Sequence, residues 1–341
     1  MDNRTVRAGT CTAVVLCGLL SGTAGSMLGC QDRSSDGRTS GEPGGSAAPP
    51  SSDVPWELVY EQEVEGNVDL YLLAAGEGAP RRLTVDPGED SLARWMPDGE
   101  RIVFSSNRTG TAQLWEVSAR GGPPRRLRRN GAQESQGDPS PDGRQLAFLS
   151  DFEGPPRLLV MDLSTGVATE LVRHGKRTIF GNPHWSPDGT HITFSSDWRT
   201  GHQVWVVDVA TGRTRRVSSR STGACEPRFT RDGRAVAYVS RGSDPTSRLV
   251  QRDLATGELR VLVDWPAFNY DLAYSPDGSE IAFASNITGE WVIYRQRLSD
   301  GRAWQVTSGG GPARYPDYRP RAPGGGSSPD RGTSSNGRRS P

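Results

Sequence analysis

The apolar positions of this chain fall in short runs separated by turn residues, not at the 3.6-residue spacing of helices. Five of these runs read alike: Ile102-Val103-Phe104, Leu146-Ala147-Phe148, Ile192-Thr193-Phe194, Val236-Ala237-Tyr238 and Ile281-Ala282-Phe283. A turn precedes each one: Pro97-Asp98-Gly99, Pro141-Asp142-Gly143, Pro187-Asp188-Gly189, the degenerate Arg231-Asp232-Gly233, and Pro276-Asp277-Gly278. Successive turn aspartates are 44, 46, 44 and 45 residues apart. Proline presets φ at the first corner, aspartate tolerates the second, and glycine takes the left-handed position that closes a bulged hairpin. Each turn therefore joins two antiparallel strands, the first ending at an aromatic such as Trp185.

A third strand follows in every repeat, as in Val204–Asp208 and Val292–Tyr294, then a turn such as Thr211-Gly212 or Asp300-Gly301. A short fourth strand ends the unit, as in Arg216–Ser218 or Gln305–Thr307. Four antiparallel strands in about 44 residues make one propeller blade. Five full copies run from about Ser91 to Thr307, and the chain ends supply a sixth. Glu57–Gln62, Asp69–Leu73 and Arg82–Thr84 read as strands two to four of a blade that lacks its first strand. Tyr315–Pro320 copies the first-strand pattern and then stops. The sequence thus predicts an all-β, six-bladed β-propeller over residues 54–320. Its C-terminal strand pairs into the N-terminal blade and closes the ring, leaving no open edge.

These repeats resemble the WD-like units of the TolB propeller family, which read approximately Pro-x-Trp-Ser-Pro-Asp-Gly, an Ile-Ala-Phe-like strand, a Tyr-x-x-Asp strand and Thr-Gly. The resemblance covers all 267 residues of the folded unit. It implies a propeller, and a periplasmic scaffold role is in keeping with it. TolB itself carries an additional N-terminal α/β domain, where this chain has a tether.

Outside the repeats, residues 1–29 read as a lipoprotein-type signal peptide. Arg4 and Arg7 form a basic start, Cys11–Leu20 an apolar core, and small residues follow. The apolar core is too short for a retained membrane span. Met27-Leu28-Gly29-Cys30 resembles a lipobox, making Cys30 the expected lipidation site. Residues 30–53, rich in Ser, Gly and Pro, follow as a disordered tether, and residues 321–341 as a disordered tail. These features predict an exported, membrane-anchored lipoprotein of the cell envelope, facing the periplasm or the cell surface. Once the signal is removed, Cys225 is the only cysteine besides Cys30, so no intramolecular disulfide is expected.

Composition narrows the function classes. Gly (42) and Pro (25) are abundant, as a fold of many turns requires. Forty basic residues balance forty acidic ones, and only Lys176 is a lysine. No net field attracts nucleic acid, and none is expected as a partner. There is no Gly-x-Ser-x-Gly elbow and no His-Glu-x-x-His helix. The densest basic run, Arg125-Arg126 with Arg128-Arg129, reads as a solvated loop region.

Candidate chemistry collects where the innermost strands meet around the channel. The residue just before the first-strand aromatic position gives one ring: Arg94, Asp138, His184, Arg228, Ala273 and Asp317. Three positions before the aromatic gives a second: Leu92, Gln136, Asn182, Glu226, Asp271 and Tyr315. The mixed charges of the first ring suit a polar ligand or a partner's carboxylate, or else a salt-bridged belt facing a wet channel. In the second, Glu226 and Asp271 with Asn182 could share a cation such as calcium, though no spacing selects one. The expectation is therefore a monomeric, non-catalytic binding module without a cofactor. Its partner is an envelope protein or peptide, and it touches the membrane only through its lipid. The alternative is a metal-assisted polysaccharide lyase built on His184, Glu226, Asp271 and Arg228.

Overall fold

The computed structural model describes residues 56–76, 79–152, 154–172, 178–198, 201–219, 223–241 and 246–321. The expectations for the signal peptide, Cys30, the tether and the tail beyond Arg321 lie outside those residues.

The strands appear in chain order as the repeats predict. β1 (Leu58–Val64), β2 (Asn67–Leu73) and β3 (Arg81–Arg82) form most of blade 1. Blade 2 is β4 (Asp90–Trp95), β5 (Arg101–Ser106), β6 (Gln113–Ser118) and β7 (Arg125–Arg126). Blade 3 is β8 (Glu134–Pro139), β9 (Gln145–Ser150), β10 (Arg157–Asp162) and β11 (Ala168–Val172). Blade 4 is β12 (Phe180–Trp185), β13 (His191–Ser196), β14 (Gln203–Asp208) and β15 (Thr214–Arg216). Blade 5 is β16 (Gly223–Phe229), β17 (Ala235–Arg241), β18 (Ser247–Asp253) and β19 (Leu259–Val263). Blade 6 is β20 (Asn269–Tyr274), β21 (Glu280–Ser285), β22 (Val292–Arg297) and β23 (Ala303–Gln305). The last strand, β24 (Ala313–Tyr318), returns to pair antiparallel with β1 and completes blade 1. Six four-stranded sheets result, each ordered as a simple meander except the mixed one.

Apolar side chains pack between neighbouring sheets rather than within one. Val59, Leu70 and Leu72 of blade 1 meet Trp95, Ile102 and Phe104 of blade 2. Cys225, Val239 and Leu249 of blade 5 meet Tyr274, Phe283 and Tyr294 of blade 6. The strand-two aromatics Phe104, Phe148, Phe194 and Phe283 are fully buried. One aromatic per repeat is what blade-on-blade packing needs. The first-strand aromatics Trp95, Trp185, Phe229, Tyr274 and Tyr318 are buried in the same way.

The turns behave as their residues dictate. Gly99, Gly143, Gly189, Gly233 and Gly278 have φ between 68° and 72°. Each turn aspartate folds back to accept amides or hydroxyls of its own loop. Asp188, for example, accepts from Ser186 Oγ, Thr190 N and Thr190 Oγ1. Pro97, Pro141 and Pro187 each lie against the turn glycine of the next blade, as Pro141 does below Gly189. Arg231 stands where this proline is found elsewhere, and its Cβ covers Gly278.

Candidate functional site: the two tiers of the channel

The innermost strand of every blade carries the same distortion. The pairing register slips between Ser91 and Arg94, Ser135 and Asp138, Gly181 and His184, Cys225 and Arg228, and Tyr270 and Ala273. At the centre of each slip one residue has left-handed backbone: Leu92, Gln136, Asn182, Glu226, Asp271 and, in β24, Tyr315, with φ from 50° to 58°. These are the six residues of the second ring. Only asparagine and aspartate tolerate this conformation readily, so Leu92, Gln136, Glu226 and Tyr315 hold strain that neighbouring contacts must offset. The bulge turns backbone amides away from their own sheet and toward the adjoining blade.

Those amides find acceptors across the blade boundary. In the second tier, Asn182 N donates to Gln136 Oε1, and Asp271 N donates to Glu226 Oε2 at 2.8 Å. Tyr315 N lies 3.5 Å from Asp271 Oδ2. Where the ring holds Leu92 or Tyr315, a strand-two residue of the same blade takes over. Gln136 N donates to Ser105 Oγ at 3.1 Å, and Leu92 N to Glu61 Oε2 at 2.8 Å. Ser105 and Glu61 follow Phe104 and Tyr60, which occupy one repeat position.

The first tier repeats the device. Trp95 N donates to Asp317 Oδ2 and Trp185 N to Asp138 Oδ2, both at 2.9 Å. Phe229 N donates to His184 Nδ1 at 3.3 Å. Arg94 needs no counterpart, because the residue following Asp138 is Pro139, which has no amide hydrogen. Acceptor side chains of the first ring thus join blades together. The expected salt-bridged belt reduces to one long contact, Arg94 Nε to Asp138 Oδ1 at 3.9 Å.

Electrostatics follow from enclosure. Burial pushes the Asp138 carboxyl up to about 7, against the pull of Arg94 and the Trp185 amide. Burial raises Asp317 too, with Arg94 opposing it. Glu61 is pushed up to about 7, also by burial, despite the Leu92 amide and Arg314. His184 is pushed down to about 3 by desolvation, with Arg94 and Arg231 adding to the effect. Its imidazole is neutral at physiological pH, and its Nδ1 is engaged as an acceptor. That is a poor arrangement for a general base.

Sequence reasoning brought Glu226 and Asp271 together as partners for a shared cation. In the structure they meet through the Asp271 amide, and the cation facing Asp271 is Arg314. Its Nε lies 2.8 Å from Asp271 Oδ2 and its Nη2 3.3 Å from Oδ1. Arg314 is flanked by Trp291, Tyr315 and Tyr270, with ring centroids 4.6, 4.9 and 5.8 Å away. No group of three or more metal-ligating side chains forms among the described residues.

Two channel arginines escaped the sequence reading. Arg314 occupies a position held by Ser91, Ser135, Gly181, Cys225 and Tyr270 in the other blades, and Arg231 replaces a turn proline. Each is a lone cation at a position otherwise free of charge, a signal the repeat alignment contained. Arg231 reaches into blade 6, donating to Ser275 O at 3.0 Å and Tyr274 O at 2.7 Å. The basic run, by contrast, is neutralised in part: Arg125 pairs with Glu116 at 3.1 Å and Arg128 with Glu134. A cleft of about 410 Å³ between blades 2 and 3 is lined by Arg101, Glu116, Arg125, Arg144 and Asp162.

A family profile described as the TolB beta propeller domain matches residues 31–151 and 138–270. Among solved structures, TolB from Acinetobacter baumannii is similar at 22% identity and a TM-score of 0.68, over 79% of this chain and 68% of that one. A putative TolB from Agrobacterium tumefaciens is similar at 16% identity and a TM-score of 0.61, over 78% and 99%. An oligogalacturonate lyase in complex with manganese is similar at 19% identity and a TM-score of 0.54, over 75% and 74%. At these identities the likeness is one of fold. A sequence comparison with curated proteins found no match. The repeats, the six closed blades and the profile match together place this chain in the TolB beta-propeller domain family.

Proposed function

We propose that this protein is a non-catalytic binding module of the cell envelope. It is anchored by lipid on Cys30 and presents one face of its propeller, with the channel mouth, to an envelope protein or peptide. One observation carries this reading: the polar acceptors of the channel are spent on holding blades together. Asp138, Asp317, His184, Glu226 and Gln136 each receive an amide from the adjoining blade. Groups fixed in this way make a stiff frame, and stiff frames present surfaces at low entropic cost. The tether of residues 30–53 would let that frame sample the space above a membrane.

The lyase alternative needs a base and a metal cluster in the channel. His184 would have to break its bond to the Phe229 amide and gain a proton in an environment that opposes charge. The full-length lipoprotein, carrying a photo-crosslinking residue at the exposed turn residue Pro187 or at the outer-rim position Val261, separates the two readings. The expected result is a specific envelope protein captured from Pro187 and not from Val261, with Cys30→Ser releasing the chain from membranes. Unsaturated product from polygalacturonate in the presence of manganese, lost in His184→Ala, would overturn it.

A further inference from the structure

The latch pattern of the first tier is incomplete over one sector, and the missing atoms are all acceptors. Following the ring from blade 5 through blade 6 to blade 1, the tier residues are Arg228 and Ala273. In blades 1, 3 and 4 the equivalent residue accepts the amide of the next blade's aromatic. Arg228 has only donors, and Ala273 has no polar side-chain atom. Neither can receive the corresponding amides of Tyr274 and Tyr318. The residues after these tyrosines pair with strand two, Ser275 N to Glu280 O and Arg319 N to Glu57 O. By the alternation of an antiparallel ladder, the tyrosine amides themselves point away from strand two.

Two guanidinium groups bracket the same spot. Arg228 Nε lies 3.3 Å from Leu272 O, just before Ala273, and Arg231 donates to Tyr274 O and Ser275 O, just after it. Arg228 is 8% exposed, and its Nη1 is buried with no hydrogen-bond partner. A buried donor left in that condition is costly unless a ligand satisfies it. Arg231, at the mouth, is exposed to solvent.

Charge points the same way. Arg94, Arg228 and Arg231 bring three fixed positive charges to this tier. Asp138 and Asp317 bring at most two negative ones, and His184 is neutral. Within this set of side chains the positive charges outnumber the negative ones. A planar oxyanion with two acceptor oxygens suits a guanidinium fork better than a spherical ion does.

We propose that the channel sector above Ala273, between Arg228 and Arg231, is a carboxylate-binding site that receives an acidic group of the ligand. The inference rests on the channel mouth being a binding face, and not on the ligand being an envelope protein. A free carboxylate is enough to test it.

The probe is acetate, titrated into the full chain by calorimetry against chloride at equal ionic strength, with inorganic phosphate in a parallel titration. Two variants return the repeat to its own pattern. Arg231→Pro restores the turn proline of the other repeats, and Ala273→Asp supplies the acceptor that Asp138 and Asp317 supply elsewhere. The expected result is saturable acetate binding, weakened tenfold or more in both variants, with Ala273→Asp melting above the parent. No saturation by acetate in the parent overturns the proposal, as does saturation that both variants leave unchanged. Tighter binding of phosphate than of acetate overturns the carboxylate assignment. A failure here with successful capture of a partner from Pro187 would leave the scaffold reading standing, so the two can be told apart.

Discussion

The hydroxyl of Tyr318 donates a hydrogen bond of 2.9 Å to Glu280 Oε1, tying the last strand of the fold to the sheet before it. Glu280 is also the partner of Arg295, whose Nε lies 2.8 Å away and whose side chain is 1% exposed. Arg295 in turn lies against Trp304 and Tyr318. A buried ion pair of this kind matters most when one partner is removed, since the other is left as an uncompensated charge. Tyr318→Phe should cost about 1 kcal/mol, because Arg295 still satisfies the carboxylate. Glu280→Ala should cost about 3–5 kcal/mol, the usual penalty for orphaning a buried charge. Urea denaturation of the two variants gives both values. Equal losses would show that the hydroxyl, not the ion pair, carries the closure.

The latches make a second prediction. Asp317→Ala and Asp138→Ala each leave an inward amide, Trp95 N or Trp185 N, without its acceptor. Each should destabilise the fold by about 1–3 kcal/mol. Asn at either position retains an acceptor oxygen and should recover most of the loss. If Asn and Ala variants unfold together, the amide latch is not what these aspartates provide.

Raised carboxyls in the channel give the stability a pH dependence with a definite sign. Asp138 and Glu61 have native values near 7, against roughly 4 in an unfolded chain. The native state therefore holds protons that the unfolded chain releases. Their contribution is complete below about pH 4 and is lost as pH rises through about 7. Asp188, held down at about 2 chiefly by the Ser186 hydroxyl, acts oppositely, and its contribution is lost only as pH falls through that value. Stability should peak in mild acid and fall by on the order of 5 kcal/mol between pH 5 and pH 8. Urea midpoints at pH 5 and pH 8 measure this, and Asp138→Asn with Glu61→Gln should flatten the difference.

His184 offers a spectroscopic check. Its ring is neutral and its Nδ1 accepts from Phe229 N. Its imidazole resonances should not titrate from about pH 5 to 8, where an ordinary histidine changes charge. A midpoint near 6.5 would mean that the ring is solvated and the Phe229 latch open.

The blade boundaries were readable in the sequence because the turn chemistry is local. Pro, Asp and Gly each supply one backbone need, and the steps from Asp98 to Asp277 repeat it. The mixed blade was readable too, since Tyr315–Pro320 carries a first-strand pattern with no second strand after it. The ring positions were found by counting back from the aromatics. Their backbone state was not, because Leu92, Gln136, Asn182, Glu226, Asp271 and Tyr315 share no chemistry that announces left-handed φ. That state is imposed by amides reaching another blade, a relation between residues some 45 positions apart, such as Glu226 and Asp271. Glu61 and Arg314 escaped for a related reason. They act through neighbours that only the closed ring supplies.

Closure by β24 also sets an order of events. β1 pairs with Ala313–Tyr318, so the sheet begun at Leu58 stays unfinished until nearly all of the folded unit is available. Until then β1 is a bare edge, able to accept any strand that reaches it first. A chain halted in blade 6 would hold every turn and nearly every core aromatic and still be open. The final six-residue strand of the propeller is thus a timing element as well as a structural one: the ring closes only when this strand arrives, and not gradually along the way.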